Sequence, residues 1–231
     1  MTKNTRKVPT KGGLKFTTAF AVLMTTATLS QTALADEQQA AIERGKAASA
    51  LCMVCHQADG SGKHVTDGES WPRLAGLNHE YLAAQMHAFK EGTRDNPSMN
   101  GFVQMLNDEQ IQDLALYYES LPATAGEAPE VSEEVLALGE KLATRGDWDR
   151  YIVSCQSCHG PGNTGVGAHF PGIAGQHAGY LSAQLKHWQA NERSSDPQEL
   201  MASVARRLND EDIEAVSAWL ATQPATYTAK E

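Results

Sequence analysis

Apolar residues recur along most of the chain at helical spacing, and no stretch alternates convincingly between apolar and polar residues as a strand would. Two stripes place apolar residues on one helix face, and both stripes return about one hundred residues later. The first pair comprises Tyr81, Leu82, Gln85, Met86 and Phe89 in one stripe and Ile111, Leu114, Ala115, Tyr118 and Leu121 in the other. The second pair comprises Tyr180, Leu181, Leu185 and Trp188, and then Ile213, Val216 and Leu220. The pattern predicts an all-α protein in which these stripes form core rather than a separate cofactor box.

Helix starts are marked by capping residues. Asn107 with Gln110, and Asn209 with Asp212, place a polar side chain three residues after an N-cap, so a final helix is predicted to begin at each asparagine. Leading helices are predicted over residues 38–51 and 132–144, the latter capped by its first residue, a serine.

An internal repeat divides the chain. Residues 72–76 and 81–85 are matched by residues 171–175 and 180–184 at an offset of 99, and residues 106–111 by residues 208–213 at an offset of 102. The segment 123–134 has almost no large apolar residue and reads as an exposed linker. We therefore expect a first domain over residues 36–122 and a second domain over residues 135–231.

The N-terminal segment has the features of an export signal. Five basic residues precede an apolar, threonine-rich run that ends in Ala33-Leu34-Ala35. This pattern predicts a signal peptide over residues 1–35, cleaved before Asp36. A retained membrane anchor is the alternative, but the many threonines make the run poor for a spanning helix. The expected compartment is the periplasm.

Removal of that segment takes away five basic residues and no acid, so the formal net charge changes from −9 to −14. Such a chain lacks the basic surface that nucleic acid or an anionic membrane requires, which leaves at most peripheral membrane association. Its field favours partner proteins with basic docking patches. The charge could equally serve only to keep the protein soluble.

All four cysteines lie in two C-x-x-C-H motifs, Cys52–His56 and Cys155–His159. Cys52 and Cys55, and likewise Cys155 and Cys158, are spaced to form thioethers with one haem, and the adjacent His56 or His159 can then ligate its iron. A redox dithiol, half a zinc site or a disulfide would explain the cysteines but not a histidine after both pairs. The motifs predict two covalently bound haem c groups.

With a leading helix, this motif, a Pro-x-x-Ala-Gly segment, a methionine-bearing loop and a final helix, each repeat resembles the class I cytochrome c fold. The tandem arrangement resembles the dihaem cytochrome c4 family. The resemblance implies that Pro72 and Pro171 accept a hydrogen bond from the haem-ligating histidines. It also implies close helix packing at two glycines in the leading helices, and these pairs are Gly45 against Tyr117 and Gly139 against Trp219. One departure is an extra segment of about nine residues around residues 146–151, interpreted as a surface loop or a docking feature.

The distal ligand decides whether each iron is closed by the protein or open to substrate. The repeat pairs Met99 with Met201, so these residues are the expected ligands, with Met99 placed in a loop over the haem. Met105, close to the entry of a helix, is the competing choice. The histidines outside the motifs show no repeat pairing and are interpreted as surface residues; they are His64, His79, His87, His169, His177 and His187.

These features favour a periplasmic electron carrier between a respiratory donor and a terminal oxidase or reductase. Two alternatives stay open. One is a haem enzyme, either a dihaem peroxidase or a thiosulfate-oxidising cytochrome, and the other is a dedicated cytochrome subunit of a periplasmic dehydrogenase. Paired methionines argue against an open iron, and there is no fifth cysteine to ligate a catalytic haem.

Overall fold

The helices of the first repeat enclose a small core. The computed structural model describes residues 35–66 and 68–226, and the described residues from Ala41 onward form one compact unit. Helix α1 covers residues 35–48 and is followed by the 3₁₀ turn Ser49–Leu51. The remaining helices of this repeat are α2 (Met53–His56), α3 (His79–Glu91), α4 (Pro97–Gln104) and α5 (Asp108–Ser120).

The second repeat has the same helices in the same order. They are α6 (Glu133–Thr144), α7 (Gln156–His159), α8 (Ala178–Gln189), α9 (Leu200–Ala205) and α10 (Asp210–Ala221), joined by the 3₁₀ turns Trp148–Arg150, Pro161–Asn163 and Pro197–Glu199. Within the described residues, the only β-type pairings are isolated bridges. The all-α prediction is confirmed.

Capping groups begin the helices where the sequence predicts them. Asn107 and Asn209 each form a capping box, in which the asparagine side chain accepts from the backbone N–H of Gln110 or Asp212 and that residue's side chain accepts in return. Ser132 caps α6 through the Val135 N–H. These local bonds satisfy backbone donors that the first helical turn leaves free.

Two glycines allow the leading and final helices of each repeat to cross closely. A Cβ atom at Gly45 would lie 2.0 Å from the Asp113 carbonyl oxygen, and one at Gly139 would lie 2.1 Å from that of Ala215. The neighbouring Cβ atoms of Tyr117 and Trp219 complete these contacts. The close approach implied by the family resemblance is therefore present in both repeats.

The segment between the repeats has no regular element and is mostly exposed. It contacts the second repeat at Gly126, whose N–H donates to the Gly175 carbonyl at 2.7 Å.

The extra segment of the second repeat is an ordered turn. Asp147 and Ile152 pair through two backbone hydrogen bonds of 2.8 Å, and Arg150 forms a salt bridge to the buried carboxylate of Asp212 on α10. Trp148 and Tyr151 are 70% and 76% exposed. The turn is thus anchored at its base and presents two aromatic side chains to solvent.

Side chains from both repeats meet directly. The Gln176 amide bonds to both the N–H and the carbonyl of Arg73, and the Arg73 guanidinium donates to the carbonyls of Ala75 and Ala174. The Nε2–H of His177 donates to the Ser61 carbonyl at 2.9 Å, because a carbonyl oxygen can only accept.

No helix within the described ranges is long and apolar enough to cross a membrane. The predicted signal peptide falls almost entirely on residues 1–34, which lie outside those ranges.

Candidate haem sites

Each C-x-x-C-H motif folds as a single helical turn. In α2 the His56 N–H donates to the Cys52 carbonyl at 2.9 Å, and in α7 the His159 N–H donates to the Cys155 carbonyl at the same distance. A helical turn places both cysteines of a motif beside its histidine. This is the arrangement that two thioethers and a proximal ligand to one haem require.

Both motif histidines are oriented by a backbone carbonyl. The Nδ1–H of His56 donates to the Pro72 carbonyl at 2.9 Å, and that of His159 donates to the Pro171 carbonyl at 2.7 Å. Nε2 is left to bind a metal. Burial lowers the pKa of both imidazoles, so both are neutral and available as ligands at neutral pH.

The cysteines do not have the character of a redox dithiol, and all four are free of disulfide bonds. Burial raises the pKa of the Cys52 thiol, and it raises the pKa of Cys155 to about 11. A reactive Cys-x-x-Cys pair instead has a lowered thiol pKa. Within the described residues, no group of three or more His, Cys, Asp or Glu side chains is placed to hold a metal ion. Thioether attachment therefore fits these cysteines better than redox or zinc chemistry.

A cavity with predominantly apolar walls opens beside the first motif, next to Cys52, Cys55 and His56. The whole α3 stripe contributes to its wall, namely Tyr81, Leu82, Gln85, Met86 and Phe89. The prediction that this stripe forms core is confirmed for the first repeat, since Leu82 and Phe89 are buried and Tyr81 and Met86 pack against the core cluster. The structure adds that the same residues face the space beside the proximal histidine. The α5 stripe does form buried core around Ile111 and Leu114.

Two methionines line this cavity, Met99 and Met86, whereas Met105 is 66% exposed and lies outside it. The prediction that Met99 lies in a loop is wrong. Met99 lies in the first turn of α4, where the Asn96 side chain accepts from its N–H at 2.9 Å and Pro97 occupies the first helical position. An N-cap followed by proline is a helix-start signal that the sequence already contained.

Met201 occupies the corresponding place in the second repeat, in the first turn of α9. It is partly buried and packs beside Trp188, Ala202 and Ala205. The Asp196 carboxylate accepts from the Ala202 N–H of this turn at 3.0 Å.

The histidines outside the motifs are not all surface residues. His177 is buried, with 6% of its surface exposed, because it lies where the repeats meet, so the surface prediction is wrong for it. His187 is half-buried and lines the cavity, while His79 bonds to Glu119 at 2.8 Å. A contact between repeats leaves no periodic mark in either one, which is why the sequence did not indicate it.

Further residues of the site come from the second repeat. The cavity beside His56 is also lined by Ile173, Gln176, Tyr180 and Gln184 and by the buried Arg73 and Arg94 of the first repeat. The sequence contained one indication that the polar residues of this wall matter. Gln85 and Gln184 occupy equivalent positions in the two repeats, as do Arg94 and Arg193. A flat apolar group with an anionic edge, as haem has, fits this combination of apolar wall and buried cations.

Comparison with known proteins agrees with this geometry. The cytochrome c family model matches residues 42–122 and 136–224, one match in each repeat. A thiosulfate dehydrogenase electron acceptor of Thiomonas intermedia (strain K12) is 44% identical over 180 residues, which are 78% of this chain and 82% of the relative.

Two solved structures are similar over most of the chain. Reduced cytochrome c4 from Pseudomonas stutzeri superposes with a TM-score of 0.71 at 31% identity, covering 78% of this chain and 97% of the other. The thiosulfate dehydrogenase from Marichromatium purpuratum superposes with a TM-score of 0.74 at 38% identity, covering 80% of this chain. This chain spans only 40% of that longer protein.

Proposed function

Since this chain belongs to the cytochrome c family and is a dihaem electron carrier resembling cytochrome c4, with two covalent haem c groups, we propose that it accepts electrons from a thiosulfate dehydrogenase in the periplasm. The similarity to the Thiomonas intermedia electron acceptor is the observation that carries the proposal. The Marichromatium purpuratum structure supports it, because there a region similar to this chain forms part of a thiosulfate dehydrogenase chain.

The number of haems suits this donor. Joining two thiosulfate ions through a new S–S bond would release two electrons and no protons. Two haem irons would supply two one-electron acceptors, so a single chain could take both electrons. In this role the chain holds and passes electrons while the substrate stays on the dehydrogenase.

We infer that this chain itself is not an enzyme, because each iron would have a second protein ligand. Met99 and Met201 are the proposed second ligands and would hold the irons together with His56 and His159. The support for Met99 is its place in the cavity beside His56, and the support for Met201 is its equivalent position in the repeat. An iron with two strong protein ligands has no free position for thiosulfate or peroxide.

The proposed periplasmic location follows from the predicted signal peptide, and the proposed basic surface of the partner follows from the negative charge of this chain. Cleavage of the signal peptide before Asp36 would leave a protein of formal charge −14, and a partner with basic patches would be attracted to it. Cleavage would be detected as an intact mass that begins at Asp36 and includes two haems.

The function is tested by mixing the oxidised protein with a catalytic amount of thiosulfate dehydrogenase and excess thiosulfate, with haem reduction followed by stopped-flow absorbance. We expect both haems to be reduced. The rate should fall as salt is raised to about 0.15 M, where charges are screened beyond about 8 Å. Controls omit the dehydrogenase or the thiosulfate, and carbon monoxide is added to the reduced protein.

Two results would count against the proposal. Consumption of thiosulfate or peroxide by this protein alone, together with carbon monoxide binding, would make it an enzyme. Failure of the dehydrogenase to reduce it, while other periplasmic donors do so, would leave it a carrier with a different partner.

A further inference from the structure

The core of the first repeat contains a tyrosine, Tyr118 on α5, that also borders the haem site. Only 4% of its surface is exposed, and its ring packs in the core cluster with Ile111 and Leu114. The same side chain lines the cavity beside His56. Within residues 35–66 and 68–226, its hydroxyl has no hydrogen-bond partner of regular geometry. Burying a hydroxyl without a partner is unfavourable, so this position is not explained by packing alone.

The polar side chain that interacts with this hydroxyl is Cys52, the first cysteine of the first motif. Both residues line the cavity, and Cys52 packs against the core cluster that contains Tyr118. Burial raises the pKa of Tyr118 and the interaction with Cys52 raises it further, so the phenol keeps its proton. Burial also raises the pKa of Cys52, and hydrogen bonding from Tyr118 opposes that effect. The hydroxyl is therefore a permanent donor beside this sulfur.

A glycine makes room for the tyrosine ring. A Cβ atom at Gly60 would lie 3.1 Å from Cδ1 of Tyr118, which is closer than most real Cβ contacts. Gly60 also has a φ of +71°, a conformation that glycine adopts without strain. Its carbonyl accepts from the N–H groups of Leu74 and Ala75, which fixes this loop against the ring.

The second repeat has the opposite combination of sizes at these two positions. Gly60 and Asn163 each lie four residues after the motif histidine, and Leu220 is the residue equivalent to Tyr118. Asn163 and Leu220 are both buried. A small residue thus accompanies a large one in the first repeat, and a larger residue accompanies a smaller one in the second. Because Leu220 carries no hydroxyl, this donor is present only in the first repeat.

The chemistry of the attached sulfur fixes the direction of the contact. In the holoprotein the Cys52 sulfur is a thioether, which carries no proton and can only accept a hydrogen bond. The Tyr118 O–H is then the donor, with the positive end of its dipole toward the sulfur. Hydrogen bonds around a haem tune its reduction potential, and a positive dipole end favours the state that carries the extra electron.

We propose that the Tyr118 hydroxyl donates a hydrogen bond to the Cys52 thioether sulfur and thereby raises the reduction potential of the first haem, with no equivalent effect on the second. Two haems held by the same residue types then differ in their affinity for an electron. The proposal depends on the covalent haems and not on the identity of the electron donor. A failure to accept electrons from thiosulfate dehydrogenase would leave it intact.

The test uses the full holoprotein. Resonance Raman spectra in H₂O and D₂O record the C–S stretching bands of the thioethers, and a potentiometric titration followed by the NMR signals of the haem methyl groups gives the potential of each haem. Tyr118→Phe removes the hydroxyl and keeps the ring. Tyr117→Phe is the matched control, because this neighbouring buried tyrosine bonds instead to the Ala58 carbonyl, at 3.5 Å. The double variant Asn163→Gly/Leu220→Tyr introduces the same pair of residues into the second repeat.

We expect Tyr118→Phe to lower the ratio of reduced to oxidised first haem at a fixed potential by about two- to fivefold, as the loss of one neutral hydrogen bond would, and to leave the second haem unchanged. One C–S band that shifts in D₂O for the wild type should no longer shift. The double variant should raise the potential of the second haem.

The proposal is wrong if Tyr118→Phe changes the potential and the C–S bands no more than Tyr117→Phe does. It is also wrong if the potential falls while the D₂O-sensitive C–S band stays, since the hydroxyl would then act on another part of the haem. A changed band with an unchanged potential would likewise overturn it. If the double variant does not fold, Tyr118→Phe decides alone.

Discussion

Met86 and Met99 share the cavity beside His56, so at the residue scale the question is which sulfur reaches the iron. The repeat distinguishes them. Met86 on α3 matches Leu185 on α8, which cannot ligate iron, whereas Met99 matches Met201. If both repeats bind haem in the same way, the ligand must be a methionine in both, and only Met99 meets this condition, through Met201.

We expect Met99→Ala and Met201→Ala each to remove about half of the sulfur-to-iron charge-transfer band of the oxidised protein, because each would open one of two irons. The open iron should bind carbon monoxide when reduced. Met86→Ala and the exposed Met105→Ala are the matched controls and should leave the band whole. Loss of the band in Met86→Ala with none in Met99→Ala would assign the ligand to α3 instead.

Helix packing, at the scale of elements, depends on two glycines with no room for a side chain. Gly45→Ala or Gly139→Ala would place a methyl group about 2 Å from a backbone carbonyl oxygen of the facing helix. Since backbone cannot move aside as a flexible side chain can, we expect each change to lower the free energy of unfolding by about 1–3 kcal/mol or more.

Gly101→Ala in α4 is the control for these variants, because a Cβ there meets nothing within 4 Å. Alanine exceeds glycine in helix propensity by about 1 kcal/mol, so this variant should be neutral or more stable. Thermal unfolding of the holoprotein measures the stability of all three variants. Equal stability of the three variants would mean that the helix crossings can adjust.

The turn around Trp148 is tied to α10 by Arg150 and Asp212. Burial alone would raise the pKa of Asp212, but hydrogen bonds from Arg150 and from the Asn209 backbone outweigh burial and lower it. A carboxylate with a lowered folded pKa stabilises the fold above its ordinary pKa of about 3.9, and the stabilisation is lost as pH falls through the folded value.

Asp212→Asn should therefore reduce the free energy of unfolding at pH 7 by about 1–3 kcal/mol, while the difference from wild type disappears near pH 2. Asn can still accept in the capping box, so the variant removes the charge rather than the cap. Unfolding measured across this pH range tests it. A difference that persists undiminished at pH 2 would show that the ion pair is not its source.

The two repeats differ, at the scale of the whole molecule, in the surface around their haem motifs. The first exposes Leu51, Val54, Phe102 and Met105. Their counterparts in the second are Ser154, Ser157, Val204 and Arg207. Exposed apolar side chains beside a redox centre suit a small, transient interface, and Leu51 and Phe102 both line the cavity itself.

We therefore expect the double variant Leu51→Ser/Val54→Ser to slow reduction by the dehydrogenase severalfold, with unchanged haem spectra. The control is Val166→Ser, which removes an exposed apolar residue near the second motif. Stopped-flow reduction compares them. A slower rate in the control variant and an unchanged rate in the double variant would instead place the docking surface on the second repeat.

The sequence by itself determined the features whose causes lie within a few residues. The Cys-x-x-Cys-His motifs specify haem attachment through neighbouring covalent and coordinating groups, and the capping boxes at Asn107 and Asn209 specify helix starts. Because the same motifs occur a second time in the chain, they also predicted a second domain of the same kind. The helix start at Asn96 and Pro97 is also local, although the polar residues and glycine that follow equally suit a loop.

Only the tertiary structure decided what meets between the repeats. It placed the α3 stripe in the cavity wall, buried His177 against the Ser61 carbonyl, and brought Arg94 beside Arg193. His177, Arg94 and Arg193 are polar in their own segments, and their burial depends on atoms about one hundred residues away. Periodicity reports which face of one helix is apolar, but not which surface of another domain covers it.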